Sequence, residues 1–291
     1  MHPTTMAVIT PSYAPDFELC ATLNRSVLEF LPRSVKHYIF VDRPDLRVFR
    51  ALGGERTIVL SKQEILPRGV LQLPFGNRWL CGMNPVPISG WLVQQIAKIA
   101  AAHKLTEDVL LMVDSDATFV RDVAAPMFAS AGKTRLYRGP GVINAALPAH
   151  VGWYNAACNL LGVRPDPLPV DDYIGQVISW DRRLVLEMCA RIEAVKGRSW
   201  HSALAAARGV SEYLLYGVFV AKVAGEARVW IDHEHRCTTH WDHAPLGDAQ
   251  LEEFALSLRD DDIALMISSH SKTPASIRRA VLAIATNGRL N

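Results

Sequence analysis

The sequence predicts an α/β fold, and three observations carry that prediction. Short apolar runs of strand length alternate with stretches of helical periodicity through the first half of the chain. The early runs end in polar or acidic turns. The run Val109 to Val113 is apolar on both faces, as a strand covered by helices on two sides must be. Strand, helix, strand, helix, strand in that order implies a parallel sheet joined by right-handed crossovers.

Met6 to Thr10 reads as the first buried strand, stopped by Pro11-Ser12-Tyr13-Ala14-Pro15. Asp16 can cap the helix that follows, whose apolar positions Phe17, Leu19, Leu23, Val27 and Leu31 keep helical spacing. Val35 to Val41 is the second strand, ending in Asp42, and Thr57 to Leu60 a third. Residues 66–90, rich in Pro, Gly and aromatics, read as a long functional loop. It leads into a helix from Trp91 to Ala102, on which Gln95 and Lys98 stand three apart and share a side. Then comes Val109 to Val113. Later elements are less regular: a strand at Thr134 to Arg138, a helix from His150 to Leu161 closed by Gly162, and a strand from Gly175 to Trp180. Helices at 181–196, 199–208 and 211–223 follow, then strands at Arg228 to Ile231 and Ala264 to Ser268, and a closing helix at Ser276 to Thr286.

The chain has 291 residues, 49% apolar and 21% charged, with a formal charge of +2. That is a globular composition with too little net charge to argue for a nucleic-acid partner. Its five cysteines are odd in number and scattered, as in a reduced, cytoplasmic protein. No apolar stretch approaches the roughly 20 residues needed to cross a bilayer. Peripheral membrane contact and oligomeric state stay open.

The most informative stretch is Asp114-Ser115-Asp116, which closes the fourth buried run. Carboxylates at the mouth of a buried strand must be hydrogen-bonded, paired or metal-bound, because bare buried charge costs several kcal/mol. Hard oxygen donors suit Mg²⁺ or Mn²⁺, which take much of their shell from water and substrate phosphates. The other reading is a strand-end turn held by Asx hydrogen bonds. A second triplet, Asp260-Asp261-Asp262, precedes an apolar run and reads as a solvated turn or helix end.

Together, the Ile9-Thr10-Pro11-Ser12 strand end, the second strand closing in Asp42, Gln94-Gln95 followed by Lys98 on a helix, and Val113-Asp114-Ser115-Asp116 resemble bacterial glycosyltransferases of the GT-A type. The resemblance implies a single GT-A-like, Rossmann-like domain with a mixed central sheet, its donor half at 1–125 and its acceptor half at 126–291. It implies a UDP- or GDP-linked sugar as donor, a glycan, lipid or small molecule as acceptor, and a divalent metal on Asp114 and Asp116. A late histidine often completes that metal shell; Ser269-His270-Ser271-Lys272 is similar to such a segment without its usual glycine, which makes His270 a candidate ligand.

Transfer from a nucleotide diphosphate requires neutralising the leaving group, with Lys98, Lys272 and Arg78 as candidate cations. Glu212, in Ser211-Glu212-Tyr213, is the candidate base, and Asp172 of Asp171-Asp172-Tyr173 its rival. Thr10, Ser12, Tyr13 and Asp42 stand at strand ends where open α/β sheets bind ligands, joined by Gln95 and Ser115. Trp153 and Tyr154 are candidates for a sugar platform or a core pair. A different class is suggested by residues 232–243, which hold four histidines and a cysteine. His-x-His spacing can grip Zn²⁺ from a strand, making a zinc hydrolase the alternative.

Overall fold

A computed structural model describes residues 4–73, 78–82, 84–207 and 209–287. At its centre is a five-stranded mixed sheet. Met6–Pro11 lies in the middle, parallel to Lys36–Val41 on one side and to Val109–Met112 on the other. Thr57–Ser61 extends the sheet past Lys36–Val41, and Ile178–Asp181 closes the opposite edge antiparallel to Val109–Met112.

The period-two alternation of the first strand explains the layering. Ala7 and Ile9 pack with Leu92, Val93 and Ile96 of the helix Gly90–Lys104. Met6 and Val8 pack with Leu23, Val27 and Phe30 of the helix Phe17–Phe30. Helices therefore cover both faces, and Val109–Met112 is buried along its whole length. Strand order runs one way from Met6–Pro11 to Thr57–Ser61 and the other way to Val109–Met112. Such a reversal opens a crevice at the carboxyl ends of the strands that flank it.

A second small sheet brings the end of the chain to that crevice. Ala117–Phe119 pairs antiparallel with Ala264–Ile267, which runs parallel to Cys237–His240. Further on, Lys133–Tyr137 pairs with Val229–Asp232, and Gly139–Ile143 with Val170–Asp172. Among the described residues, no helix is long and apolar enough to cross a membrane. All five cysteines are buried and free.

Two expectations change. The 66–90 segment is a three-stranded antiparallel meander, Val70–Gln72, Arg78–Cys81 and Asn84–Ser89, rather than a loop. Its inward residues Trp79 and Cys81 are fully buried. Pro85 and Pro87 fall on its edge strand Asn84–Ser89, where a missing N–H is tolerated; Pro74, Phe75 and Gly76 lie outside the described residues. The second acidic triplet is not solvated throughout: Asp262 is fully buried.

Candidate active site

The crevice is a cavity of about 780 Å³. Its floor comes from strand ends: Pro11 and Tyr13 follow the first strand, Asp42 the second, Lys62 the third, and Asp114, Ser115 and Asp116 the fourth. Gln95, Lys98, Asp172, Glu212 and His270 also line it. Ten of the candidate site residues read from the sequence thus face one space, although they come from seven separate stretches of chain.

Lys98 is the hub of the buried wall. Its ammonium lies 2.9 Å from Asp114 Oδ1 and 3.0 Å from Glu212 Oε1, and donates to the Tyr213 hydroxyl at 2.9 Å. The side chain is 6% exposed, so this cation is held almost out of water. Burial alone would push its pKa down, but Asp114, Glu212 and Tyr213 together hold it well above the usual lysine range. Local sequence supports the geometry. Ser89 caps the helix that carries Lys98, and Ser211 caps the helix Glu212–Phe219. Gln95, on the same helix face as Lys98, accepts the Glu212 backbone N–H at 3.0 Å. The expected base therefore serves here as the counter-charge of a buried lysine. Lys98 itself has all three N–H donors committed to protein groups.

Asp116 differs. It is half-buried, and one oxygen accepts the Ser269 backbone N–H at 2.9 Å. Burial first, then repulsion by Asp114, raises its pKa to about 6. Asp16, across the floor, is also raised, mainly by burial, and accepts from the Ser115 hydroxyl at 3.4 Å. Asp16 heads the Phe17–Phe30 helix without capping it by its side chain, so the expected cap is replaced by a contact toward the cavity. Arg278 lies close enough to feel both Asp116 and Asp16, but its guanidinium donates to the carbonyls of Ile267, Ser268 and Thr273.

His270 reaches the cavity because Ala117–Phe119 and Ala264–Ile267 pair, which sets the Ser268–Ser271 turn over Asp116. The structure does not gather His270, Asp114 and Asp116 into a ligand cluster: no three His, Cys, Asp or Glu side chains come together as a metal group among the described residues. The histidines of the zinc alternative are not gathered either. His233 bonds to the Arg138 carbonyl, His235 to the Tyr137 hydroxyl and His240 to the Ala244 carbonyl. Cys237 is buried, and its thiol is held well above the usual range by burial and by Asp262 and Asp116.

Four of the nucleotide candidates stand elsewhere. The Thr10 hydroxyl donates to the Val113 carbonyl at 2.8 Å and meets His37 Nε2 at 2.9 Å, inside a polar cluster with Asn24 and Thr57. Thr10 is therefore scaffold. Ser12 is buried beside Cys20 and does not line the cavity. Arg78 is exposed on the meander, and Lys272 is exposed with a left-handed backbone, φ 54°; neither lines the cavity. Asp172 lines it with both oxygens engaged, one by the N–H groups of Tyr173 and Ile174, the other by His150. Of the proposed platform pair, Trp153 lines the cavity and Tyr154 is core.

Lys62 was not legible as a site residue. It is 4% exposed, pairs with Asp42 at 3.1 Å and lines the cavity. The available signal was Ser61-Lys62-Gln63-Glu64, a capping box that fixes Lys62 in a first helical turn just past the third strand. His150 and Trp91 also line the cavity and belong to no motif, and His235 of the His-x-His segment lines it too.

No curated protein matches the chain. Among solved structures, mouse xyloside xylosyltransferase 1 in its apo form is 10% identical over 92% of this chain and 99% of that chain, with a TM-score of 0.48. That likeness is too slight to argue from. Residues 5–253 match the model of a protein family whose description gives it no function, and the chain therefore belongs to that family, DUF6492.

Proposed function

We propose that the protein is a glycosyltransferase that moves a sugar from a nucleotide diphosphate donor, UDP- or GDP-linked, to a hydroxyl acceptor, assisted by Mg²⁺ or Mn²⁺. One observation carries this reading. Where the sheet order reverses, Asp16, Asp114, Asp116 and Glu212 converge on a cavity in which Lys98 pairs with Asp114 and Glu212, while Asp16 and Asp116 have no ion-pair partner among the described residues. Asp116 is kept from easy ionisation by that surplus and by burial. Excess negative charge around a crevice wide enough for a nucleotide sugar calls for a divalent cation that arrives with an anionic substrate.

The donor chemistry supports the fit. Asp116 and the free oxygen of Asp114 are hard ligands, and Mg²⁺ is commonly held by one or two carboxylates with water and substrate phosphates rather than by a full protein cage. When bound, the ion supplies Lewis-acid charge for the departing diphosphate. His270, on the adjoining turn, is the further candidate ligand. Lys98 fixes Asp114 through their ion pair, and Glu212 fixes Lys98. Tyr13, 38% exposed at the mouth, offers a ring to the base, while the Asp42–Lys62 pair offers acceptor and donor to the ribose or phosphates.

The test is thermal stability in UDP or GDP with and without Mn²⁺. Ligand that binds only the native state raises the melting point by mass action. The wild type should show a rise that requires both components, and Asp114→Asn and Asp116→Asn should lack it. An equal, Mn²⁺-dependent rise in both variants would count against the assignment.

A further inference from the structure

Asp172 cannot be a free carboxylate base, because its oxygens are spoken for. Oδ1 accepts the N–H of Tyr173 at 2.7 Å and of Ile174 at 2.9 Å, and Oδ2 lies 2.9 Å from His150 Nδ1. Pairing of Gly139 with Asp172 fixes that residue at the end of its strand, where it is 5% exposed. A carboxylate only accepts, so Nδ1 of His150 carries a proton, and in the neutral imidazole Nε2 holds the lone pair. His150 stands in the first turn of Pro148–Leu161, and its side chain, 27% exposed, lines the cavity. Its Nε2 has no protein partner among the described residues.

The surroundings indicate what that nitrogen meets. Trp153, one turn along the helix, has its ring 5.1 Å from His150, and Trp91 lies 5.6 Å beyond Trp153. Both indoles line the cavity, and Trp91 is 45% exposed. Open aromatic faces beside an unpartnered imidazole nitrogen suit a ring that has an apolar face and a hydroxyl at its edge.

We propose that this wall is the acceptor subsite, that it takes a sugar or aryl glycoside stacked on Trp153 and Trp91, and that His150 is the general base for its hydroxyl. The proposal rests on the transferase reading and gives the base a place distinct from Glu212, whose carboxylate is tied to Lys98. In the step, the acceptor oxygen forms its bond to the anomeric carbon as the bond from that carbon to the diphosphate oxygen breaks. The leaving diphosphate keeps that electron pair, and the acceptor proton passes to Nε2 of His150. Asp172 is a positioning residue: it holds the ring and its tautomer.

The test uses the full chain with Mn²⁺, a panel of UDP- and GDP-sugars as donors, and nitrophenyl glycosides or water as acceptors, reading product by mass spectrometry and nucleotide release. His150→Gln should lower turnover about 10²- to 10⁴-fold, the range lost with a general base, with KM for the donor and the UDP-dependent rise in melting point unchanged. Asp172→Asn should lower kcat and move the His150 proton from Nδ1 to Nε2, read by long-range ¹H–¹⁵N correlation, because an amide can present its N–H₂ to Nδ1. Full turnover in His150→Gln, or an unchanged tautomer in Asp172→Asn, would overturn the proposal. A wild type that binds nucleotide with Mn²⁺ yet turns over no donor would overturn the acceptor assignment alone. A wild type that neither binds nor turns over nucleotide would overturn the transferase reading with it.

Discussion

Asp116 and Asp262 each close an Asp-x-Asp triplet, and each stands just before one of two strands that pair antiparallel, Ala117–Phe119 and Ala264–Ile267. They therefore mark opposite ends of the same small sheet, and their electrostatics are opposite too. Asp262 accepts from the Thr238 hydroxyl at 2.6 Å, the Arg259 N–H at 3.1 Å and the Arg259 guanidinium at 3.1 Å. Burial pushes its pKa up, but those bonds overcome it and hold the carboxyl below the usual range. Asp116, half-buried, has its pKa raised to about 6 and looks into a cavity. The difference is one of partners: the buried Asp262 is fully matched inside the protein, and Asp116 is met by the Ser269 N–H and faces the cavity.

Removing the cation from the site should produce the largest effect. Lys98→Met leaves Asp114 and Glu212 facing each other without a counter-ion, and breaking a buried pair in this way costs about 4 kcal/mol. The urea midpoint should fall accordingly, and Lys98→Met with Glu212→Gln should recover part of the loss. A variant as stable as wild type would mean that the pair is solvated and the comparison is drawn in the wrong place.

Next comes Asp116→Asn. Donor turnover should drop at least about 100-fold, the scale of losing charge stabilisation in the transition state. The ligand-free protein should melt no lower than wild type, because the charge removed is one that Asp114 and Asp16 repel. The mirror experiment is Asp262→Ala. It should cost about 2 kcal/mol of stability, since it strands a half-buried Thr238 hydroxyl and an Arg259 that is 50% exposed and can turn to water. Turnover per folded molecule should stay near wild type. If Asp262→Ala loses turnover and Asp116→Asn loses stability, the roles are reversed.

The smallest effect concerns a third kind of buried polar group, one kept neutral. Burial of His37 among Asn24, Thr10 and Thr57 lowers its pKa to about 3. The unfolded chain takes up a proton near pH 6.5 and the folded one does not, so stability is lost as pH falls from about 6.5 toward 3. Between pH 7 and 5 the loss from this residue should be about 2 kcal/mol. It is isolated as the extra pH dependence of the wild-type urea midpoint over that of His37→Gln. Equal slopes in the two proteins would place His37 in contact with water.

Legibility followed the range of the interactions. The apolar run from Met6 to Thr10 and the helical spacing of Phe17, Leu23 and Val27 gave the strand and helix that the structure contains, because each pattern is satisfied by near neighbours. The meander at 70–89 was missed because its pairing partner, not its composition, makes it a sheet. Asp114, Asp116 and Lys98 were each visible, whereas the ion pair joining Lys98 to Asp114 and Glu212 spans elements distant in the chain. Thr10 and His150 show the two directions of error. A strand-end threonine turned out to be tied to His37 inside the scaffold, and a histidine in an unremarkable helix faces the cavity on a carboxylate from another strand.

The sequence by itself determined the strands and helices of the central sheet, the two-sided burial of Val109–Met112 and the acidic close of that strand, since periodicity and strand-end chemistry are local properties of a chain. Only the tertiary structure decided which of two identical acidic spacings carries uncompensated charge, which lysine is buried, and which imidazole keeps a free nitrogen. Those outcomes depend on desolvation and on partners supplied by other strands, and neither is written at the residue where the effect appears.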